Sequence, residues 1–250
     1  MSASRFIRIC LLLATGFVLS ALAPATVAAD DEVVCFGDSA TAGAVDMSFP
    51  DYLEFFIDPG DGQVSNEGES GETAEEGVGR LFWLIISLQH YGAKVWTFWE
   101  GGNDLIDWVE ETDPYLLNDP ADSNYPYREE LDAKLAYIAD LIGGAVDLIR
   151  FAGAEAALGT YYDLMPWLPC DASPLGFLTP GLAEKGNHYQ QELNDTIRQV
   201  AADKDAPVAD IANLAVVNGH VLNYHNCNHM NAFGNFWVAA EWWITVLPYL

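Results

Sequence analysis

Val33-Val34-Cys35-Phe36-Gly37-Asp38-Ser39 decides the reading of this chain. Four apolar residues run into a glycine, an acid and a serine. A short uncharged run closed by turn residues reads as a buried strand. The serine then stands at the strand's carboxyl end, in a tight turn that exposes its hydroxyl. Gly37 and the small residues Ala40, Thr41, Ala42 and Gly43 leave room for a substrate to approach. Taken alone, Ser39 also reads as the N-cap of an ordinary helix. What sets it apart is its company, in order downstream: Asn66-Glu67-Gly68-Glu69-Ser70-Gly71-Glu72-Thr73, then Gly101-Gly102-Asn103-Asp104, then His229-Met230-Asn231.

Working outward from that strand, strand and helix signals alternate. Further strands are expected at Gln63–Asn66, Lys94–Trp99, Ala154–Tyr161 and Ala206–Ile211, and helices at Thr73–Tyr91, Glu129–Phe151, Leu182–Asp203 and Ala232–Val246. Thr73 and Glu76 form a capping-box pattern, with Val78, Leu81, Phe82, Ile85 and Leu88 on the core face of that helix. Gly143-Gly144 weakens the second helix, and Asn231 caps the last. The alternation predicts a single α/β domain over residues 30–250, a three-layer α/β/α sandwich with a mostly parallel central sheet. In such sheets sites collect at the carboxyl ends of strands. Ser39, Gly71, Asn103 and the segment Tyr161–Ser173 each follow an expected strand. Two long connections rich in Trp, Tyr, Leu and Pro, Asp107–Arg128 and Asp163–Pro180, are expected to wall a pocket beside the serine.

The strand is preceded by a leader. Arg5 and Arg8 come before an uncharged run from Ile9 to Leu22, and small residues from Ala23 to Ala29 lead into Asp30-Asp31-Glu32. This is the pattern of a secretory signal peptide over residues 1–29, cleaved after Ala29. The run is short for a membrane span, and Cys10 lies inside it rather than behind a small-residue box, so neither a membrane anchor nor a lipid anchor is expected. The protein is expected to be secreted or periplasmic.

The chain carries 10 Lys+Arg against 37 Asp+Glu, a formal charge of −27. Such a charge repels nucleic acid and anionic membrane surfaces and argues against both as partners. With 51% apolar residues the chain is globular rather than an acidic disordered tail. The surplus reads as a solubility device, suited to a salty medium that screens self-repulsion. Behind the leader stand Cys35, Cys170 and Cys227, an odd number that leaves one unpaired. Cys35, inside the apolar strand, reads as a buried inert thiol. Cys170 and Cys227 lie in loop-like sequence and are expected to form a disulfide in an oxidising compartment. No ligand-spaced cluster is present, so neither metal nor cofactor is expected. Asp58-Pro59-Gly60-Asp61-Gly62 reads as a turn without the spacing of a calcium loop.

A serine nucleophile needs a base, donors for the oxyanion and a pocket. Among His90, His188, His220, His225 and His229, only His229 stands ahead of a small polar turn and a closing helix. Gly71 offers an approachable backbone N–H, or is simply a left-handed turn glycine. The Asn103 side chain is a further donor, or the cap of an Asx turn.

These four pieces resemble the SGNH hydrolase superfamily, the GDSL esterases and lipases, and most closely its lysophospholipase/thioesterase-like branch. Gly37-Asp38-Ser39 matches the nucleophile block, with Ala40 where a leucine is usual. Asn66 to Thr73 looks like the second block and Gly102-Asn103-Asp104 the third. His229-Met230-Asn231 looks like the His-Pro-Asn of the last, with Met230 in place of proline. The resemblance covers the chain from Val33 to its end. It implies a flavodoxin-like fold, Ser39 as nucleophile, His229 as base, and an oxyanion hole made of the Ser39 and Gly71 N–H groups and the Asn103 side chain. His229 would take the Ser39 proton as the hydroxyl attacks an ester carbonyl, and an acyl-enzyme would then be released by water.

One departure matters. The family places an aspartate three residues before the histidine, where this chain has Asn226. Three accounts stand open: Asn226 or a backbone carbonyl orients a Ser-His dyad, another carboxylate reaches His229, or turnover is weak or absent. The expected function is therefore a secreted serine hydrolase of short- to medium-chain acyl esters or thioesters, with a small-molecule ester as its partner. The alternatives are a carbohydrate O-deacetylase, with Trp96, Trp99, Trp108 and Trp167 stacking on sugar if they are not core, and a degenerate member that binds esters or glycans without turnover. The sequence carries no signal for oligomeric state.

Overall fold

Strand β1 (Val33–Gly37) is buried along its whole length, as an uncharged run is when both faces of a sheet are covered. It pairs in parallel with β2 (Val64–Gly68) on one side and β3 (Val95–Trp99) on the other. Strands β4 (Glu155–Gly159) and β5 (Val208–Ala209) continue the sheet in parallel, giving the order β2-β1-β3-β4-β5. The computed structural model describes residues 32–43, 47–58, 62–170 and 176–250. The leader lies outside these residues, as does most of the expected turn at 58–62.

Six helices connect the strands among the described residues, α1 (Ser39–Ala42), α2 (Phe49–Ile57), α3 (Ala74–Ile86), α4 (Gly102–Thr112), α5 (Arg128–Phe151) and α6 (Pro180–Lys204), and α7 (Ala232–Val246) follows the last strand. Helices α2 and α7 pack together on one side, and α3, α5 and α6 pack in a row on the other. The result is the expected three-layer sandwich. On the α2/α7 side Phe49 stacks on Trp242 and meets Trp99 edge-on, each with centroids 5.6 Å apart. Leu81, Leu131, Ile138 and Ile149, all fully buried, fill the other interior. At the amino ends of the strands, Lys94 Nζ donates to Glu32 Oε1 (2.6 Å) and to the Leu250 carbonyl (2.7 Å).

Several element boundaries differ from expectation. Helix α3 stops at Ile86 rather than Tyr91 because Leu88 and His90 take left-handed backbone (φ 58° and 56°), while His90 Nε2 is fastened to Glu67 at 2.9 Å. Leu88, expected in the core, is exposed, and of the expected core face only Leu81 is fully buried. Strand β5 has two residues rather than six. Asp210 ends it by accepting from Arg198, Asn213 and Thr160, which turns the chain into a 3-10 helix at Ile211. Helix α2 was not expected, although Ser48 and Asp51 form a capping box with Pro50 in the first turn. Helix α4 runs to Thr112, into the first expected loop.

The chain leaves β1 for β2 on one side and returns to β3 on the other. The connections from the carboxyl ends of β1 and β3 therefore diverge and open a crevice. Asp38 N donates to Trp99 O at 3.1 Å, carrying the ladder one residue past β1. A Cβ at Gly37 would lie 2.5 Å from that same carbonyl oxygen and 2.3 Å from Thr41 Oγ1. Only glycine lets the turn form so close to β3.

Candidate active site

Ser39 is the first residue of α1, and the helix cap is Asp38, whose Oδ1 accepts from Ala40 N at 2.8 Å. The capping role therefore falls to the acid, and the serine hydroxyl is free of it. As a first-turn residue Ser39 also presents a backbone N–H that the helix does not use. Asp38 Oδ2 accepts from the Tyr161 hydroxyl at 2.7 Å, and that hydroxyl accepts from Gly102 N at 3.2 Å. One buried chain of bonds thus joins the ends of β1 and β4 to the start of α4.

His229 reaches the serine from the loop before α7: its Nε2 lies 2.9 Å from Ser39 Oγ. Its Nδ1 lies 3.1 Å from Asn226 Oδ1. The same oxygen accepts from the backbone N–H of His229 (2.8 Å) and of Asn228 (3.1 Å). Those two donors fix which end of the amide faces the ring, because an amide nitrogen there would be set against both backbone N–H groups. Oδ1 therefore keeps the proton on Nδ1 and leaves Nε2 bare toward Ser39, the tautomer a general base requires. What the amide lacks is the charge that would stabilise the imidazolium.

The loop is held from several sides. Cys227 is bridged to Cys170 with Cα atoms 5.1 Å apart, its N–H donates to Pro169 O (2.8 Å), and its carbonyl accepts from Met165 N (2.7 Å). Among the described residues Cys35 is the free, buried thiol. Tyr162 OH donates to Asn228 O at 3.2 Å.

Asn103 and Gly71 lie on the opposite side. Asn103 Nδ2 donates to the Glu72 carbonyl at 2.8 Å, which sets the plane of the amide and leaves its second N–H for another acceptor. Asp104 Oδ2 accepts from Ala74 N at 2.6 Å, locking the third sequence block onto the second. Gly71 sits with φ 83° in a turn in which Glu72 N donates to Glu69 O (3.3 Å). No protein hydrogen bond among the described residues uses the Gly71 N–H. Ser39 and Asn103 line one cavity of about 160 Å³, whereas Gly71 is not on its wall.

That cavity is apolar. Leu105, Ile106, Val109 and Leu116 come from α4 and the connection after it, Leu164, Cys170 and Leu178 from the second expected loop, and Tyr189 and Leu193 from α6. Both long connections thus form walls as expected, joined by α6, which was expected as a helix but not as a wall.

The match to the model of the GDSL-like lipase/acylhydrolase family runs over residues 35–235 and takes in Ser39, Asn103, Asn226 and His229. The chain belongs to this family. As a member it is a carboxylic ester hydrolase of the SGNH superfamily. Among curated proteins none matches its sequence. Solved structures share its fold at low identity. TesA is 19% identical with a TM-score of 0.58, covering 87% of this chain and 99% of that one. The lipase/acylhydrolase from Enterococcus faecalis is 19% identical with a TM-score of 0.56, covering 87% and 96%. The psychrotrophic esterase EstA from Pseudoalteromonas sp. is 16% identical with a TM-score of 0.55, covering 87% and 97%.

Within this GDSL-family site, three residues escaped the sequence reading. Asp38 belonged to the motif, but its pairing with Tyr161 had no sequence signal. Burial pushes its carboxyl up to about 6, against the bonds from Ala40 and Tyr161. Tyr161 was only part of a segment behind a strand. Glu100 closes the apolar run of β3 and is buried, with burial and the neighbouring Asp38 holding its carboxyl well above the usual range. A lone acid ending an apolar strand was the available signal.

Proposed function

We propose that residues 30–250 form a secreted serine esterase, exported by the leader at 1–29, that cleaves short- to medium-chain acyl esters or thioesters through an acyl-enzyme on Ser39. The carrying observation is the line of contacts from Asn226 Oδ1 through His229 to Ser39 Oγ, at 3.1 and 2.9 Å, opening on an apolar cavity. His229 removes the Ser39 proton as the oxygen attacks the ester carbonyl. The Ser39 N–H and the remaining Asn103 N–H receive the oxyanion, with Gly71 N–H as the third donor. Protonation of the leaving alkoxide by His229 and attack of water on the acyl-enzyme complete the cycle. Asn226 serves as the orienting acceptor of a Ser-His dyad. The cavity favours an acyl chain over a sugar: Trp96 and Trp99 are core residues, and of the four tryptophans considered only Trp167 is largely exposed, at 65%. The disulfide and the absence of a membrane-spanning helix among the described residues are compatible with export.

Hydrolysis of p-nitrophenyl acetate and butyrate by the wild type, Ser39→Ala and Asn226→Asp tests this. Ser39→Ala is expected to lower kcat by about 10³-fold or more. Asn226→Asp is expected to raise kcat, by well short of the ~10⁴-fold that separates aspartate from asparagine where the amide holds the wrong tautomer. Undiminished hydrolysis by Ser39→Ala would refute the mechanism. A wild type inert on ester, thioester and acetyl-sugar panels would favour a binding role instead.

A further inference from the structure

Glu100, the residue after β3, is 1% exposed, and neither of its carboxyl oxygens receives a hydrogen bond from an N–H or O–H group among the described residues. It is packed against α3, where a Cβ on Gly77 would stand 3.2 Å from Glu100 Oε1. A second carboxyl, that of Glu72, is among the groups that act on its charge. Asp38, Arg80 and Tyr161 are the other titratable or charged groups facing it.

Glu72 is held by Arg80, whose Nε donates to Oε1 at 2.7 Å and whose Nη2 donates to Oε2 at 2.5 Å. Arg80 also donates to the Glu67 carbonyl (2.9 Å) and lies 4.0 Å over the Phe36 ring. Glu67 and Glu69 carboxylates stand 3.7 and 3.4 Å from the same guanidinium. One cation therefore already serves several acids. An ionised Glu100, sealed from water and without a donor, would bear the full desolvation penalty of a buried charge. Two carboxyl groups in reach of one another attract only when one keeps its proton.

We infer that Glu100 is a positioning residue that keeps its proton and donates it to the Glu72 carboxylate, so that Arg80, Glu72 and Glu100 together clamp the turn on which the Asn103 amide rests. Glu72 works twice in this arrangement: its side chain is clamped, and its carbonyl holds Asn103 Nδ2. This inference rests on the esterase reading, since the part positioned is the proposed oxyanion donor. Ionisation of Glu100 at high pH sets like charges against each other beneath that turn and loosens it.

The test compares the wild type with Glu100→Gln, which keeps the volume and supplies an N–H donor, and Glu100→Leu, which supplies none. On p-nitrophenyl butyrate, Glu100→Gln is expected to keep kcat within about twofold and to lose the alkaline decline. Glu100→Leu is expected to lose about 10²-fold in kcat, the order of a misplaced catalytic group, with KM little changed. Independently of activity, the thermal midpoint of the wild type is expected to fall more steeply with rising pH than that of Glu100→Gln, because a proton retained in the fold is a stabilisation lost as pH rises. Glu100→Gln as damaged as Glu100→Leu, or Glu100→Leu with wild-type kcat, overturns the inference. A wild type that cleaves no ester overturns the esterase reading; the thermal comparison then decides the proton by itself, and equal pH dependence overturns it.

Discussion

Asp38 stands between the nucleophile and the core, and its carboxyl is divided between two tasks. One oxygen caps α1 and the other takes the Tyr161 hydroxyl. Replacing Tyr161 by Phe leaves that second oxygen buried without its donor, which costs about 1–3 kcal/mol. The Tyr161 bond opposes the upward push of burial on Asp38, so its loss raises the carboxyl further. A carboxyl whose folded value is about 6 against an ordinary 3.8 gives stability that is whole below 3.8 and lost as pH rises through 6. Chemical denaturation of Tyr161→Phe between about pH 4 and 8 is expected to show this loss extending to higher pH than in the wild type. An unchanged pH dependence would mean that Asp38 does not titrate in that window.

Among the elements, α7 links packing to chemistry. Asn231 caps it, accepting from Phe233 N (2.9 Å) and Gly234 N (3.1 Å), while its Nδ2 donates to Leu222 O (2.8 Å). The cap therefore also gathers the loop that carries His229. Asn231→Ala is expected to destabilise the protein by about 1–2 kcal/mol and to lower kcat more than a cap elsewhere would. An unchanged kcat in Asn231→Ala would separate this cap from the site, whereas Thr73, the α3 cap, adjoins the Glu72 turn that holds Asn103. Both caps were legible in the sequence, as were the buried run of β1 and the parallel alternation, because caps and apolar runs are local signals. The Ser48/Asp51 box of α2 was equally local and went unread. The lengths of β5 and α3 were not legible, since Asp210 and His90 end their segments through partners distant in sequence. In the candidate site, Ser39 was marked by its strand-end turn, whereas the roles of His229 and Asn226 came from the resemblance to the SGNH hydrolases. The orientation of the Asn226 amide came from two backbone donors that no spacing reveals, and the buried acids at Asp38 and Glu100 needed the packed interior.

Over the whole molecule, a formal charge of −27 sets acid against acid at the surface. Self-repulsion of this kind is screened by salt, with a Debye length near 30 Å at about 0.01 M and near 3 Å at about 1 M. The thermal midpoint is expected to climb with sodium chloride over that range. A midpoint that falls would mean that surface ion pairs such as Arg198–Asp210 and Arg128–Glu192 outweigh the repulsion. Lys94, holding both Glu32 and Leu250, has a different bearing on how the molecule can be handled. Residue 32 enters β1 at one pole and Ser39 leaves it at the other, with the five residues of β1 between them, about 17 Å of extended chain. A tag, tether or surface linkage joined ahead of residue 32 or behind residue 250 therefore departs from the same pole, and an immobilised molecule would hold its cavity mouth outward, toward the passing solution.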